Sequence, residues 1–115
     1  MKSSKLNMNK DFRRLYGRGK SFVHPLLVTY VMFNKRGEIR YGITAGKKVG
    51  CAVMRNRARR VIEAAVRECL KSVDCSGADI VFVARSRTPY VKSQDVESAM
   101  MCHFRSSGLI LGDCE

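Results

Sequence analysis

Between Lys47 and Cys69 the apolar residues recur at helical spacing and most of the remaining positions are cationic. Counting about 100° per residue from Met54, the side chains of Ala58, Val61, Ile62, Ala65 and Cys69 fall in one stripe. Asn56, Arg60, Glu63 and Arg67 lie on the opposite face, with Arg55, Arg57 and Arg59 on the flanks. A helix with a single apolar stripe must bury it against another layer. The pattern therefore predicts a helix laid on a sheet, with guanidinium groups presented to solvent.

The charge is concentrated rather than spread. Residues 47 to 67 hold seven basic side chains against Glu63 alone, and residues 1 to 20 hold seven against Asp11 alone. Each segment nets +6, and together they account for the chain's +12. A localised cationic surface is the electrostatic footprint of a polyanion, with nucleic acid the foremost candidate. Arginine suits phosphate because its planar fork donates two parallel hydrogen bonds, and it also stacks on bases. Gly46 and Gly50 around Lys47 and Lys48 let backbone amides and ammonium groups approach an anion near the helix start. A merely solvated face would mix signs, and this one does not.

The remaining elements follow from period and punctuation. Residues 8 to 17 place Met8, Phe12, Leu15 and Tyr16 at helical spacing, ended by Gly17 and Gly19. A short strand is predicted at 20–23, a longer one from Leu26 to Phe33, and a returning strand from Glu38 to Ala45. The segment Asn34-Lys35-Arg36-Gly37 between them reads as a hairpin turn. Asp79 to Arg85 is a strand whose apolar run predicts burial on both faces. Ser93 to Ser107 is a helix with Asp95 and Glu97 in its first turn and Gly108 at its stop.

A chain of 115 residues suits one domain, 1–115, with no repeat or linker. No stretch approaches the roughly 20 apolar residues of a membrane span, and the basic N-terminus lacks the apolar run of a signal peptide. A soluble cytoplasmic protein without a membrane partner is expected. The cysteines, Cys51, Cys69, Cys75, Cys102 and Cys114, are odd in number and lack zinc or redox spacing. Reduced thiols are expected, with those in helical patterns (Cys51, Cys69 and Cys102) acting as small buried hydrophobes. His24 and His103 are isolated in sequence, which argues against a metal site.

The run Lys47-Lys48-Val49-Gly50-Cys51-Ala52-Val53-Met54-Arg55-Asn56-Arg57-Ala58-Arg59-Arg60 closely resembles the signature of the bacterial ribonuclease P protein component, with Arg55-Asn56-Arg57 as its core. Asp11-Phe12 followed by Tyr16 and Gly19, Leu27-Val28-Thr29-Tyr30, and Val83-Ala84-Arg85 extend the likeness through most of the chain. The resemblance implies a single-domain α/β sandwich: one four-stranded sheet with three helices, in the order helix, three strands, helix, strand, helix. Such a fold is ribosomal-protein-like, with a left-handed strand–helix–strand crossover. It implies the small subunit of a ribonucleoprotein endonuclease that removes the 5′ leader from precursor tRNA. In that particle ribonuclease P RNA performs the Mg²⁺-dependent hydrolysis and holds the metal, with one protein expected per RNA and no catalytic residue from the protein.

By position, the resemblance assigns Lys47, Lys48, Arg55, Asn56, Arg57, Arg59 and Arg60 to the RNA subunit. It assigns Phe12, Tyr16 and Tyr30 to the single-stranded leader, whose bases stack on aromatic faces. From pattern alone, Phe12 reads rather as a core residue holding down the first helix, and only the resemblance assigns it to the leader. The chain departs from the family at Cys51, where asparagine is usual, at Glu63, commonly basic, and at Ala45 and Gly46 before the lysines. A carboxylate at 63 would repel phosphate unless paired with a neighbouring arginine or engaged with a hydrated metal ion.

Catalysis by the protein alone finds no support in the residues. The two basic segments contain only Asp11 and Glu63, too few carboxylates to hold catalytic ions, and nothing in the sequence brings His24 and His103 together. The alternative from another class is a structural RNA-binding protein, ribosomal or an assembly factor, with no processing role.

Overall fold

The computed structural model describes residues 3–5, 9–34, 38–73 and 77–108. Its elements are β1 (Ser3–Lys5), α1 (Asn9–Arg18), β2 (Lys20–His24), β3 (Leu27–Phe33), β4 (Ile39–Thr44), α2 (Ala52–Cys69), β5 (Ala78–Ala84) and α3 (Ser93–Ser107). The three helices and four main strands match the expected α/β order. The three-residue β1 extends the sheet at one edge, parallel to β4, giving the strand order β1-β4-β5-β3-β2.

One pairing differs from expectation. β3 and β4 run in opposite directions but do not form a hairpin, because β5 lies between them, antiparallel to β3 and parallel to β4. The reason lies in β5 itself. Six of its seven residues are buried, so it takes the central position where both faces are covered. Residues 35–37 of the anticipated turn lie outside the described residues.

Alternation along β5 sorts the core into two layers. Ala78, Ile80, Phe82 and Ala84 face α2 and α3, joining Ala58, Ile62, Ala65, Val66, Val96, Met100 and Phe104 in the main core. Val81 and Val83 face the other way, where Leu15 of α1 packs with Phe12, Tyr30 and Met32. The sheet thus lies between α1 on one side and the α2–α3 pair on the other.

The helix ends follow their local chemistry. The backbone N–H of Gly19 donates to Leu15 O at 2.9 Å, and a Cβ on Gly19 would stand 2.6 Å from that oxygen, so only glycine lets the chain turn directly from α1 into β2. At α3, the Asp95 carboxylate accepts the Lys92 N–H at 3.2 Å, and Gly108 ends the helix at φ 90°.

Candidate nucleic-acid interface

The buried stripe of α2 is turned about the helix axis relative to the one counted from sequence. Val66 is fully buried, whereas Val61 is only half-buried, so the stripe is rotated toward Val66. Arg55, at about 100° on the same wheel, falls inside that rotated stripe rather than on its flank. It is half-buried, and its Nε–H is buried without a hydrogen-bond acceptor among the described residues. Asn56, Arg57, Arg59 and Arg60 are exposed as anticipated, and Arg59 Nη1 donates to Asn56 Oδ1 at 3.0 Å. Lys47 and Lys48 are exposed on a single 3-10 turn, Lys47–Val49, anchored by buried Val49.

Gly50, at φ 136°, turns the chain from this short helix into α2. Cys51 then occupies the N-cap of α2 and is exposed, not the small buried hydrophobe expected. The nearby backbone N–H groups of Met54 and Val53 hold its thiol below the usual range. The first turn of α2 contains no acid, so its positive end faces solvent uncompensated. Cys102 is likewise exposed, and among the described residues only Cys69 is a buried cysteine; Cys75 and Cys114 lie outside the described residues. Burial pushes the Cys69 thiol up to about 12.

The aromatic candidates gather on and around α1. Phe12 and Tyr16 are one turn apart, and the Tyr16 ring meets Tyr30 on β3 edge-on, with centroids 4.9 Å apart. Tyr16 is 44% exposed, so its ring is accessible while Tyr30 supports it. Phe12 serves two roles: it packs beside Leu15, and it lines a cavity of about 340 Å³ with Tyr41, Gly42, Ile43, Arg59, Arg60 and Glu63. The cavity runs around the edge of β4. Strand β1 pairs with β4 only as far as Tyr41, so from Gly42 onward β4 has no outer strand partner among the described residues. Phe12 therefore comes next to two arginines of the basic helix, which joins the predicted RNA-facing and leader-facing surfaces. Lys47, Lys48, Tyr16 and Tyr30 lie outside this cavity.

Glu63 does not point freely into solvent opposite the apolar stripe. Its side chain is 20% exposed, Tyr41 donates its hydroxyl to Oε1 at 3.0 Å, and Arg67 Nε lies 3.7 Å from the same oxygen. The departure at position 63 is thus a carboxylate paired within the protein. Burial first, and then the hydrogen bond to Glu63, raises the Tyr41 phenol above its ordinary value.

Two side-chain clusters were not foreseen. Asp79 on β5 is fully buried and accepts from Arg40 Nε at 2.9 Å, Arg40 Nη2 at 2.7 Å, Asn34 Nδ2 at 2.7 Å and Arg14 Nη2 at 3.1 Å. Burial alone would raise its carboxyl; the hydrogen bonds from Arg40 and Asn34 and the charges of Arg40 and Arg14 outweigh it and hold it low. The second cluster brings His24 and His103 together, with ring centroids 6.2 Å apart. His103 is buried, lies 2.8 Å from Thr29 Oγ1 through its Nδ1, and is pushed down to about 4, chiefly by burial. A buried ring tied to the sheet cannot flank a phosphate in solution, so this pair does not make a nuclease site.

Residues 1–107 match the ribonuclease P protein family. The chain belongs to the ribonuclease P protein family. The ribonuclease P protein component of Clostridium botulinum (strain Langeland) is 38% identical over 109 residues, spanning 95% of this chain and 98% of that one. That of Clostridioides difficile is 40% identical over 95 residues, 83% of each chain. The fold superposes on the Staphylococcus aureus RNase P protein with a TM-score of 0.78 at 25% identity, covering 92% of this chain and 96% of that one. The RNase P protein of Thermotoga maritima shares the fold with a TM-score of 0.76, at 24% identity over 89% and 96% of the two chains.

For a ribonuclease P protein the question of metal is direct. Among the described residues, no three His, Cys, Asp or Glu side chains gather closely enough to hold an ion. Nor is any helix among them long and apolar enough to cross a membrane.

Proposed function

We propose that this protein acts as the ribonuclease P subunit that binds ribonuclease P RNA and the 5′ leader of precursor tRNA, with hydrolysis carried by the RNA. The observation that supports this best is the cavity at the β4 edge, where Phe12 shares one hollow with Arg59 and Arg60. An aromatic face stacks a base and the guanidinium groups take the phosphates on either side of it, which is the chemistry of single-strand binding. Lys47, Lys48, Arg55, Asn56 and Arg57 contact the RNA subunit, and an RNA acceptor would satisfy the buried Arg55 Nε–H. Tyr16, backed by Tyr30, offers a second stacking face to the leader. The protein contributes binding, orientation and neutralisation of phosphate repulsion; Mg²⁺ is held by the RNA. One protein per RNA and a cytoplasmic site of action complete the reading.

Reconstitution tests it. The purified protein, mixed with a bacterial ribonuclease P RNA and precursor tRNA at low Mg²⁺, should accelerate leader removal. Arg55→Ala, Arg57→Ala and Arg60→Ala together should abolish most of that acceleration. Binding to the RNA without any acceleration would leave a structural RNA-binding protein instead. Leader removal by protein treated to destroy all RNA would overturn the division of labour.

A further inference from the structure

We infer that the turn after β5 is an additional RNA contact, in which the Tyr90 ring stacks on one unpaired nucleotide and Arg85 and Arg87 take its flanking phosphates. The inference rests on the RNA-binding reading above and adds a surface to it, separate from the basic run of α2 and from the α1 aromatics.

The placement follows from topology. β4 and β5 are parallel, so their C-terminal ends, at Thr44 and Val83, open on the same edge of the sheet. From the first leaves the segment 45–51, with Lys47 and Lys48; from the second leaves 85–92, with Arg85, Arg87 and Lys92. All five cations are exposed, and neither segment contains a carboxylate. The 3-10 turn Thr88–Tyr90 packs against α2, which places it beside the basic helix.

The turn is also held firmly. The Thr88 hydroxyl donates to Leu26 O at 2.7 Å and accepts the Arg85 N–H at 2.8 Å, while the Tyr90 N–H donates to Arg87 O at 3.0 Å. Thr88 and Pro89 are buried, yet Tyr90 is 73% exposed, the most open aromatic ring among the described residues. A rigid base that turns its aromatic outward gains little from that ring in folding. The same arrangement is pre-organised for stacking, because the ordering is complete before any ligand arrives. The charges carried by the two segments are all positive, which selects a nucleotide strand over a neutral or basic partner.

The test uses the intact protein in two arms: affinity for ribonuclease P RNA alone, and affinity of the assembled holoenzyme for precursor tRNA. Tyr90→Ala should weaken one arm about tenfold, the scale of one lost stacking contact, with an unchanged melting temperature. Tyr90→Phe should stay within about twofold of wild type, and Arg87→Ala should reduce the salt dependence by about one phosphate. Loss in the first arm places the nucleotide in the RNA subunit; loss confined to the second places it in the substrate. If Tyr90→Ala is silent in both arms while Arg57→Ala and Arg60→Ala weaken RNA binding, this site is wrong and the wider reading stands. Silence of all three variants would remove both. A Tyr90→Phe defect as large as that of Tyr90→Ala would overturn stacking as the contact.

Discussion

Where β5 begins, Arg14 and Arg40 converge on the buried Asp79; where it finishes, Arg85 and Arg87 project into solvent beside Lys47 and Lys48 with no acid among them. The same side-chain type is interior scaffolding at one end of a strand and open surface at the other. What separates the two is a single carboxylate placed on the α1 face of the sheet. Removing it would take a buried counter-charge from Arg40 and Arg14, whereas the far end has no such dependence. Charge counted along the sequence misses this distinction: Arg14 belongs to the basic N-terminal segment, yet it is already engaged by an acid 65 residues away.

The largest effect expected from that contrast is on stability. Asp79→Ala should cost about 3–5 kcal/mol in chemical denaturation, because Arg40, only 14% exposed, would lose the buried carboxylate that accepts two of its hydrogen bonds. A near-wild-type midpoint would erase the difference between the two ends.

The interior should also answer to pH where the surface answers to salt. His103 is held at about 4 in the folded state against about 6.5 when unfolded. Between these values the unfolded chain binds the extra proton, so stability falls as pH drops from 6.5 toward 4, by roughly 3 kcal/mol in total. Asp79, whose folded value is depressed, contributes stability that is lost only at still lower pH, as its carboxyl protonates. Denaturation midpoints across this range should flatten in His103→Gln; an unaltered slope would assign the dependence elsewhere.

At the open face the expectation reverses. RNA affinity should fall with a log–log salt slope near −4 to −5 if about six phosphates are neutralised. Arg57→Ala with Arg60→Ala should reduce that slope by about two while changing stability by no more than about 0.5 kcal/mol. A flat salt response would mean that these cations do not meet phosphate. The smallest effect belongs to the boundary between the regions. Tyr41→Phe removes one hydrogen bond to Glu63 and should cost about 1 kcal/mol. No measurable change would indicate that Glu63 does not depend on the Tyr41 hydroxyl.

Most of the architecture was legible because the local signals agree. The α2 stripe, the doubly buried run of β5, and the Asp95 and Gly108 ends of α3 each carry a periodicity or a cap that sequence displays directly. What was not legible depends on long-range placement. β3 and β4 do run in opposite directions, but no local pattern says that the later strand β5 inserts between them. The same limit hid the meeting of His24 with His103 and the four-way junction at Asp79. At the candidate site, exposure of Arg57, Arg59 and Arg60 could be read from the helical wheel. The partial burial of Arg55 could not, because it depends on a rotation of the stripe by about 40°, and that of Glu63 could not, because it depends on Tyr41 from a separate strand.

The central strand is the last of the five to appear in the chain. Until residue 84 has left the ribosome, the β2–β3 hairpin and the β1–β4 pair have nothing to join them, and the apolar stripe of α2 has no sheet centre to lie on. Synthesis therefore delivers the cations well before the scaffold that orients them. Through that interval the emerging polypeptide is a charged tether rather than a docking surface, so productive assembly with RNA belongs after translation has passed β5.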